Sequence, residues 1–308
     1  MKTRGALLTV RLTETVVERL PVMEDILHAL GFVVVAGSVF LSLIAWESWY
    51  LVRRRGLTEA YAWSDVWSNI TMGFMYKAVD AAVVSVIVTL LYDRVRAVGI
   101  HSVPSTPWLA VTLMVVVTDF TYWFVHYFMH KVRWGWVSHV SHHSSDRFNL
   151  STALRQNFLF DLTGVAFLWW LPLAWIGFDK YWAVIAVETS LFYQFFIHTQ
   201  VVDKLPRWIE FVFNTPSHHR VHHGSNPAQI DTNFGGIFIV WDRLFGTFQP
   251  EETAGPLKFG LTERQPYTHN PLRLNTAEFF LMWRDLWRHR DVRVLWKGPN
   301  WVEQRYGR

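Results

Sequence analysis

The sequence contains no cysteine and comparatively little charge. Without cysteine the chain forms neither disulfide bonds nor thiolate–metal bonds, so any metal ion must be held by nitrogen and oxygen donors. Charged residues make up 18% of the 308 residues, against about 25% in soluble domains. The net charge of +4 is small and the basic residues are scattered, which argues against a nucleic-acid partner. Hydrophobic residues, at 51%, and aromatic residues, at 17%, are abundant instead, and this balance favours a membrane protein.

Long apolar runs set the predicted architecture. The N-terminal residues show no signal-peptide pattern, because charges interrupt their apolar positions and no small-residue cleavage site follows. An apolar helix of about 20 residues can cross the roughly 30 Å hydrocarbon core of a bilayer. Five apolar runs approach or exceed this length: Ile26–Val52, Thr71–Tyr92, Trp108–His130, Phe158–Ile176 and Tyr181–Ile197. We therefore predict an all-α, multi-pass helical membrane protein with about four to five crossings.

The orientation follows from basic residues and from one short connection. Arg53, Arg54 and Arg55 directly follow the first run and mark its cytosolic end under the positive-inside rule. Residues 177–180 join the last two runs as a helical hairpin, which either crosses twice or dips partway into the bilayer. Both alternatives place the histidine clusters on the cytosolic face of a bacterial inner membrane or the endoplasmic reticulum. The predicted division is an N-terminal segment 1–25, a membrane-embedded domain 26–250 and a C-terminal cytosolic or interfacial tail 251–308.

Histidine is the residue type that carries chemistry in this sequence. Nine of the 14 histidines fall in three clusters, at residues 126–130, 139–143 and 218–223. Asp119 lies two turns before His126 on the same predicted helix face. Neutral imidazole is a common metal ligand, and eight or nine donors exceed the four that one zinc site needs. The clusters therefore predict two metal ions at the point where helices leave the bilayer, with a cytosolic cap over them.

The residues alone leave the metal and the reaction open. Imidazole suits zinc, copper, iron and nickel. Two redox-active irons beside a buried alkyl chain would activate O₂ and abstract hydrogen from an unactivated C–H bond, which leads either to hydroxylation or to desaturation of a lipid or sterol. Zinc would instead generate hydroxide for hydrolysis, and a non-redox membrane zinc protein is the alternative from a different class. Few carboxylates accompany the histidines, unlike the glutamate-rich di-iron sites of soluble helix bundles.

Three motifs resemble those of the fatty acid hydroxylase/sterol desaturase superfamily of integral-membrane di-iron oxygenases. They are Asp119-x-x-Tyr122-x-x-x-His126-x-x-x-His130, His139-x-x-His142-His143-Ser144 and His219-x-x-His222-His223. Four further stretches, at residues 149–156, 193–199, 214–224 and 241–248, look like those of alkylglycerol monooxygenase-like members. The resemblance spans about Asp119 to Phe248. It implies a di-iron monooxygenase, of the ether-lipid type in these members, acting on a lipid alkyl chain within the bilayer.

The resemblance also implies a set of site residues and cofactors. Carried over by position, the metal ligands would be His126, His130, His139, His142, His143, His219, His222 and His223. His198 matches a further histidine that related hydroxylases place between the second and third clusters, although a helix-end histidine at the membrane interface fits it equally well. Asp119 would accept the ring N–H of His126 or its neighbour that is not used on metal, and His218 would support the ligands from a second layer. The expected cofactors are two iron ions, with O₂ as co-substrate and a separate electron donor, either tetrahydrobiopterin or a redox partner protein.

Two positions depart from the pattern of the ether-lipid monooxygenases. In that pattern an acidic residue follows the second histidine of the first cluster, and another follows the His-Thr pair. Here these positions are Lys131 and Gln200. A lysine beside a metal ligand repels a nearby cation, so we expect the side chain of Lys131 to point to solvent or lipid phosphate. Because of these two departures, the resemblance does not by itself imply an ether-lipid substrate or a pterin reductant.

Overall fold

The structure is a computed structural model that describes residues 35, 37–83, 89–262, 265–266 and 268–307. The chain divides into two compact units, residues 1–49 and 50–308. In the first unit, residues 37–49 are helical. The predicted segment 1–25 and residues 26–34 of the first predicted crossing lie outside the described residues. The site is built entirely from the second unit.

Helices are the only regular secondary structure in the described part of the second unit. Its α-helices are α1 (Trp63–Val83), α2 (Thr89–Ala97), α3 (Pro107–Lys131), α4 (Arg133–Trp136), α5 (Val140–His143), α6 (Leu159–Leu162), α7 (Phe167–Ile176), α8 (Lys180–Ile197), α9 (Arg207–Val212), α10 (Pro216–His222), α11 (Val240–Phe245), α12 (Pro271–His289) and α13 (Trp301–Tyr306). The described residues form no β-sheet and contain only two isolated bridges, between Phe213 and Phe238 and between Gly224 and Phe259. The predicted all-α class is confirmed for this part of the chain.

Two of the predicted crossings correspond to single helices, and a third is divided between two helices. Helix α3 covers the predicted run Trp108–His130, and of the described helices it alone passes as a membrane span by its own length and composition. Helix α8 covers Tyr181–Ile197. The run Thr71–Tyr92 is shared between α1 and α2, and residues 84–88 between them lie outside the described part. The number of crossings stays a prediction.

The run predicted at Phe158–Ile176 does not form one helix. The helical stretch Leu150–Leu162 and α7 meet at an angle of 73°. Gly164 lies in the bend with φ +79°, a left-handed conformation that glycine adopts without the Cβ clash of other residues. The predicted end at Ile176 matches the end of α7, but apolar composition could not reveal the bend. The two helices together pass as one broken span or a re-entrant segment.

Helix α3 is held at the centre of the unit by α7 and α8. Trp169 and Leu173 of α7 are buried against it. The indole of Trp169 also donates a hydrogen bond to the carbonyl of Thr118 in α3 at 3.0 Å. This bond satisfies a buried indole N–H and fixes the height of α7 along α3. The C-terminal half of α3 carries His126 and His130 into the site.

A buried polar network joins α1 to the second histidine cluster through Arg155, which is 2% exposed. Its guanidinium donates to Asp65 at 3.0 Å and Asn69 at 2.8 Å, both on α1. Its Nε donates to the carbonyl of Ser141 at 2.8 Å, between His139 and His142. The stretch 149–156 seen in the sequence therefore serves to anchor the helical turn that carries these histidines.

Replacing Arg155 by methionine is expected to lower the free energy of unfolding by about 3–5 kcal/mol, because the carboxylate of Asp65 stays buried without its cation. Thermal and denaturant unfolding in detergent would measure the loss. The control is Arg147→Met, since Arg147 pairs at 3.8 Å with the exposed carboxylates of Glu59 and Asp146 and such pairs contribute about 0–1 kcal/mol. Equal losses in the two variants would contradict the assignment.

Candidate metal centre

Four segments of the chain bring nine histidines together. They come from the C-terminal half of α3, from the turn leading into and through α5, from the residue after α8, and from α10 with its C-terminal cap. These histidines are His126, His130, His139, His142, His143, His198, His219, His222 and His223, each 7% exposed or less. The sequence Asn214-Thr215-Pro216-Ser217 is a helix-start signal, and α10 begins there with Thr215 as cap and Pro216 as first residue. The nine histidines are the eight that the resemblance implies as ligands, together with His198, which the sequence left open.

The nine side chains separate into two groups. His126, His130, His139, His143 and His222 form the five-histidine group, and His142, His198, His219 and His223 form the four-histidine group. Within each group one ring nitrogen per residue lies within 4.8 Å of all the others. Rings of the two groups touch, since His143 and His223 stack with centroids 4.5 Å apart. The arrangement offers two adjacent points on which several nitrogen donors converge.

Hydrogen bonds fix which ring nitrogens face inward. A backbone carbonyl only accepts, so the Nδ1 atoms of His126, His198 and His222, each 2.7–2.9 Å from a carbonyl oxygen, carry the hydrogen. In neutral rings this tautomer leaves a lone pair on Nε2. The Nε2 of His198 lies 3.2 Å from the Nε2 of His142 and 2.9 Å from that of His219. One lone pair cannot accept both hydrogen bonds, whereas a cation can accept several lone pairs.

Buried nitrogens without a partner test whether a metal fits. Three cluster nitrogens that face inward are buried and form no hydrogen bond: Nε2 of His130, His222 and His223. Such atoms cost free energy unless something binds them. Metal–nitrogen bonds of about 2.1 Å to one ion bring adjacent donors to roughly 3 Å from each other, which is the spacing found between His126 and His139 at 3.0 Å. The donor set therefore fits a metal held by imidazole.

The protonation state of the rings agrees with ligation. Burial lowers the pKa of His142, His219 and His222 well below its usual value, because the imidazolium form loses its hydration, and neighbouring imidazoles lower it further. The rings are neutral at neutral pH as a result. Neutral imidazole is the form that binds metal.

Asp119 was expected to accept a hydrogen bond from His126 or its neighbour, but it bonds to other residues. Its carboxylate accepts the backbone N–H groups of Ile237 at 2.6 Å and Phe238 at 3.1 Å, and the indole N–H of Trp241 at 2.9 Å. The Nδ1–H of His126 is donated instead to the carbonyl of Phe234. Asp119 therefore acts on His126 only indirectly, by holding residues 237–241, which follow Phe234 in the chain. Helix periodicity placed Asp119 on the buried face correctly but could not identify a partner some 118 residues away along the chain.

His218 lies outside both histidine groups. Its Nε2 is 2.9 Å from Oε2 of Glu210, and its ring contacts Phe248. The adjacent side chain of His219 points the opposite way, into the four-histidine group. The side chain of His218 therefore joins α9 to α10. It does not support the ligands directly from behind.

Lys131 does not point to solvent or lipid phosphate, which corrects the expectation from the sequence. Its Nζ donates to Asp231 at 2.6 Å, and the other oxygen of Asp231 lies 3.5 Å from Nδ1 of His130. Burial alone would raise the pKa of Asp231, but the bonds from His130 and Lys131 outweigh it and hold the pKa at about 2. The lysine charge is therefore compensated beside the ligand. Gln200, the other departure, donates to the carbonyl of Phe148 at 2.6 Å.

Asp231 and Asp242 are site residues that the sequence analysis missed. Asp242 accepts the N–H groups of Phe234 and Gly235, each at 2.8 Å. It lies in the stretch 241–248 that was noted for its resemblance, so a signal for it was present. Asp231 follows the third cluster by eight residues with no periodicity to connect them, and nothing in the sequence pointed to it.

A cavity of about 380 Å³ opens beside the histidines. His130, His143, His222 and His223 form one wall. Residues of the C-terminal part of the chain, Asn300, Trp301 and Gln304 among others, also line it. Its volume lies within the range of small-molecule sites. The cavity therefore borders residues of both histidine groups.

Comparisons with known proteins concentrate on the same part of the chain. Residues 111–247 match the fatty acid hydroxylase family. Alkylglycerol monooxygenase of Homo sapiens is 40% identical over 187 residues, which cover 59% of this chain and 40% of the relative. The alkylglycerol monooxygenase of Caenorhabditis elegans is 33% identical over 236 residues, covering 74% and 44%. An ornithine lipid hydroxylase of Rhizobium tropici is 28% identical over 152 residues, covering 49% and 45%.

The chain spans less than half the length of each of these relatives. No solved structure matches it.

Proposed function

We propose that this chain, which matches the fatty acid hydroxylase family over residues 111–247, is a membrane oxygenase that binds two iron ions and hydroxylates an unactivated C–H bond of a lipid. The observation that carries the proposal is the division of nine buried imidazoles into a group of five and a group of four. Each group contains at least the number of donors that one ion needs. The names of the relatives, alkylglycerol monooxygenase and ornithine lipid hydroxylase, support a lipid substrate.

The chemistry of the proposed reaction requires a redox metal and a source of electrons. Iron bound in the two groups would supply the one-electron chemistry with O₂ that zinc lacks. Overall, the lipid R–H, O₂, two electrons and two protons give R–OH and water. The electrons come from a separate donor, either a diffusible reductant such as tetrahydrobiopterin or a redox partner protein. The cavity of about 380 Å³ beside four of the histidines favours the diffusible reductant.

The residues of this chain would bind the metal ions, orient the ligating nitrogens and shield the site from water. The imidazoles hold the metals, and carbonyl groups behind them keep the ligating nitrogens unprotonated. On the side of the apolar helices, Tyr122 lies 5.3 Å from His126 and 5.0 Å from Trp169, measured between ring centroids. This aromatic wall is the side from which we propose that the alkyl chain approaches. Water is excluded there because the surrounding side chains are apolar.

We further propose that the protein crosses the membrane several times with the histidines at the cytosolic face. Helix α3, which carries His126 and His130, is apolar and long enough to span a bilayer. Arg55, from the arginine triplet that the positive-inside rule assigns to the cytosol, pairs with Asp203 at 3.0 Å. Asp203 follows His198 by five residues, so the triplet and the histidines share one side.

Purified protein incubated with ether lipids, ornithine lipids, fatty acids and sterols under ¹⁸O₂ tests the function. We expect about two irons per chain, O₂ uptake that depends on one lipid class, and one ¹⁸O atom in the product. With an ether lipid, hydroxylation next to the ether oxygen would release a labelled aldehyde. An unlabelled alkene would identify a desaturase instead. Two bound zinc ions after iron-replete expression, with no O₂ uptake on any lipid, would overturn the proposal.

A further inference from the structure

A single short loop, residues 231–234, contacts three of the five histidines in the five-histidine group. The carbonyl of Thr232 accepts the Nδ1–H of His222 at 2.8 Å. The carbonyl of Phe234 accepts the Nδ1–H of His126 at 2.9 Å. The carboxylate of Asp231 lies 3.5 Å from Nδ1 of His130. Four consecutive residues thus orient three ligands of one group from behind.

The four-histidine group is oriented differently. Nδ1 of His198 donates to the carbonyl of Gln194, one turn back in α8, at 2.7 Å. Gln194 lies in α8, the helix whose C-terminal cap is His198. This contact therefore does not depend on the loop. The contacts of the loop with ring Nδ1 atoms are to the five-histidine group. A change in the loop should therefore affect one metal position and spare the other.

Two residues of the loop adopt a left-handed backbone conformation, which neighbouring residues hold in place. Asp231 and Asn233 have φ values of +62° and +55°, in the left-handed region that costs free energy for residues other than glycine. The side chain of Asn233 donates to the carbonyls of His218 at 3.1 Å and Gln249 at 2.8 Å. Asp242 accepts the N–H groups that follow, at Phe234 and Gly235. These bonds determine where the two carbonyls and the carboxylate point.

We propose that the loop 231–234 sets the metal affinity of the five-histidine group alone, with Asp231 as the positioning residue of His130 and Lys131 as the counter-charge that holds Asp231. The proposal rests on the proposed function, since it assumes that each group takes a metal. Asp231 is the member of the loop that acts through its side chain, because Thr232 and Phe234 use backbone carbonyls. Lys131 Nζ, at 2.6 Å from Asp231, holds the carboxylate turned toward His130.

Two substitutions separate the carboxylate from the backbone of the loop. Asp231→Asn keeps the shape of the side chain and tolerates positive φ, but removes the charge. Asp231→Gly removes the whole side chain at a position where φ +62° suits glycine, so the loop conformation is retained. The control is Asp203→Asn, which removes a carboxylate paired with Arg55 on an exposed surface. Circular dichroism and thermal unfolding establish that each variant is folded.

Metal content and a Co²⁺ titration of the metal-free proteins, followed by visible absorption, provide the readout. The parent and Asp203→Asn should bind two equivalents with similar affinities. In Asp231→Asn and Asp231→Gly one equivalent should bind about 10–100-fold more weakly, as is typical when an outer partner of a metal ligand is lost, and the other should be unchanged. Two equivalents of parental affinity in either folded variant would overturn the proposal, as would equal weakening of both. A parent that binds fewer than two equivalents would instead count against the proposed function.

Discussion

Replacing His222 by alanine is expected to abolish lipid oxidation, whereas replacing the nearby His218 by glutamine is expected to leave most of it. His222 is central to the five-histidine group, with ring centroids 4.4 Å from His126, 4.9 Å from His130 and 4.7 Å from His143. Its Nε2 is buried and has no partner in the protein. Because losing an outer partner of a ligand already costs about 10–100-fold in affinity or activity, losing the ligand should cost at least 100-fold.

His218 is the matched control because it lies on the same short helix and is equally buried, at 2% exposed. Its Nε2 is directed at Glu210 instead of the metal groups. His218→Gln should lower the free energy of unfolding by about 1–3 kcal/mol, the usual penalty when a buried polar group loses its partner, without changing the metal content. Iron per chain and ¹⁸O-labelled product, measured on both variants, separate the two roles. Full turnover by folded His222→Ala would show that His222 is not a ligand.

The site residues that sequence could place are those on regular helices. Asp119, Trp123, His126 and His130 follow the 4-3-4 spacing of one helix face, and all four are buried on α3. Periodicity works on a 25-residue helix because side-chain direction repeats every 3.6 residues. The predicted start of α10 at Thr215 and Pro216 follows from local capping preferences in the same way.

The contacts that sequence could not place join segments far apart in the chain. Asp119 was expected to bond to a histidine on its own helix, but its partners are in residues 237–241, because three N–H donors there stabilise a buried carboxylate. Lys131 was expected to avoid the metal centre, yet Asp231 compensates its charge from 100 residues away. Loops have no hydrophobic period, so neither their path nor the direction of their carbonyls can be read from composition.

The bend near Gly164 shows the same limit within the apolar region. Phe158–Ile176 reads as one continuous span, and apolar content alone gives no reason to interrupt it. Gly164 lies within the break in a left-handed conformation, and α7 beyond it packs against α3. It places Trp169 next to Tyr122, 5.0 Å between ring centroids, and so forms the aromatic wall beside His126. The bend, which the sequence did not predict, therefore shapes the side from which we propose that the substrate approaches.

Replacing His198 by alanine is expected to remove one of the two metals and to abolish lipid oxidation. Sequence left this residue open between a ligand and a helix-end histidine at the membrane interface. A histidine of the second kind would expose its ring to water or lipid headgroups, but His198 is 3% exposed. Its Nε2 lies within 3.2 Å of two other ring nitrogens, those of His142 and His219, while its Nδ1–H is already donated to Gln194. The lone pair therefore points to the centre of the four-histidine group, and we expect loss of the ring to leave three donors there.

Iron analysis and O₂ uptake distinguish the two roles of His198. His198→Ala should retain about one iron per chain, in the five-histidine group, because the backbone partners of that group lie in the loop 231–234 and not in α8. Oxidation should fall at least 100-fold, by the reasoning given for His222. The control is His269→Ala, which removes an exposed histidine that contacts Ser64 at 3.3 Å and should keep both irons and full activity. Two irons and normal turnover in folded His198→Ala would return His198 to a structural role and leave the second metal to His142, His219 and His223, which together still provide the three protein ligands of an open catalytic site.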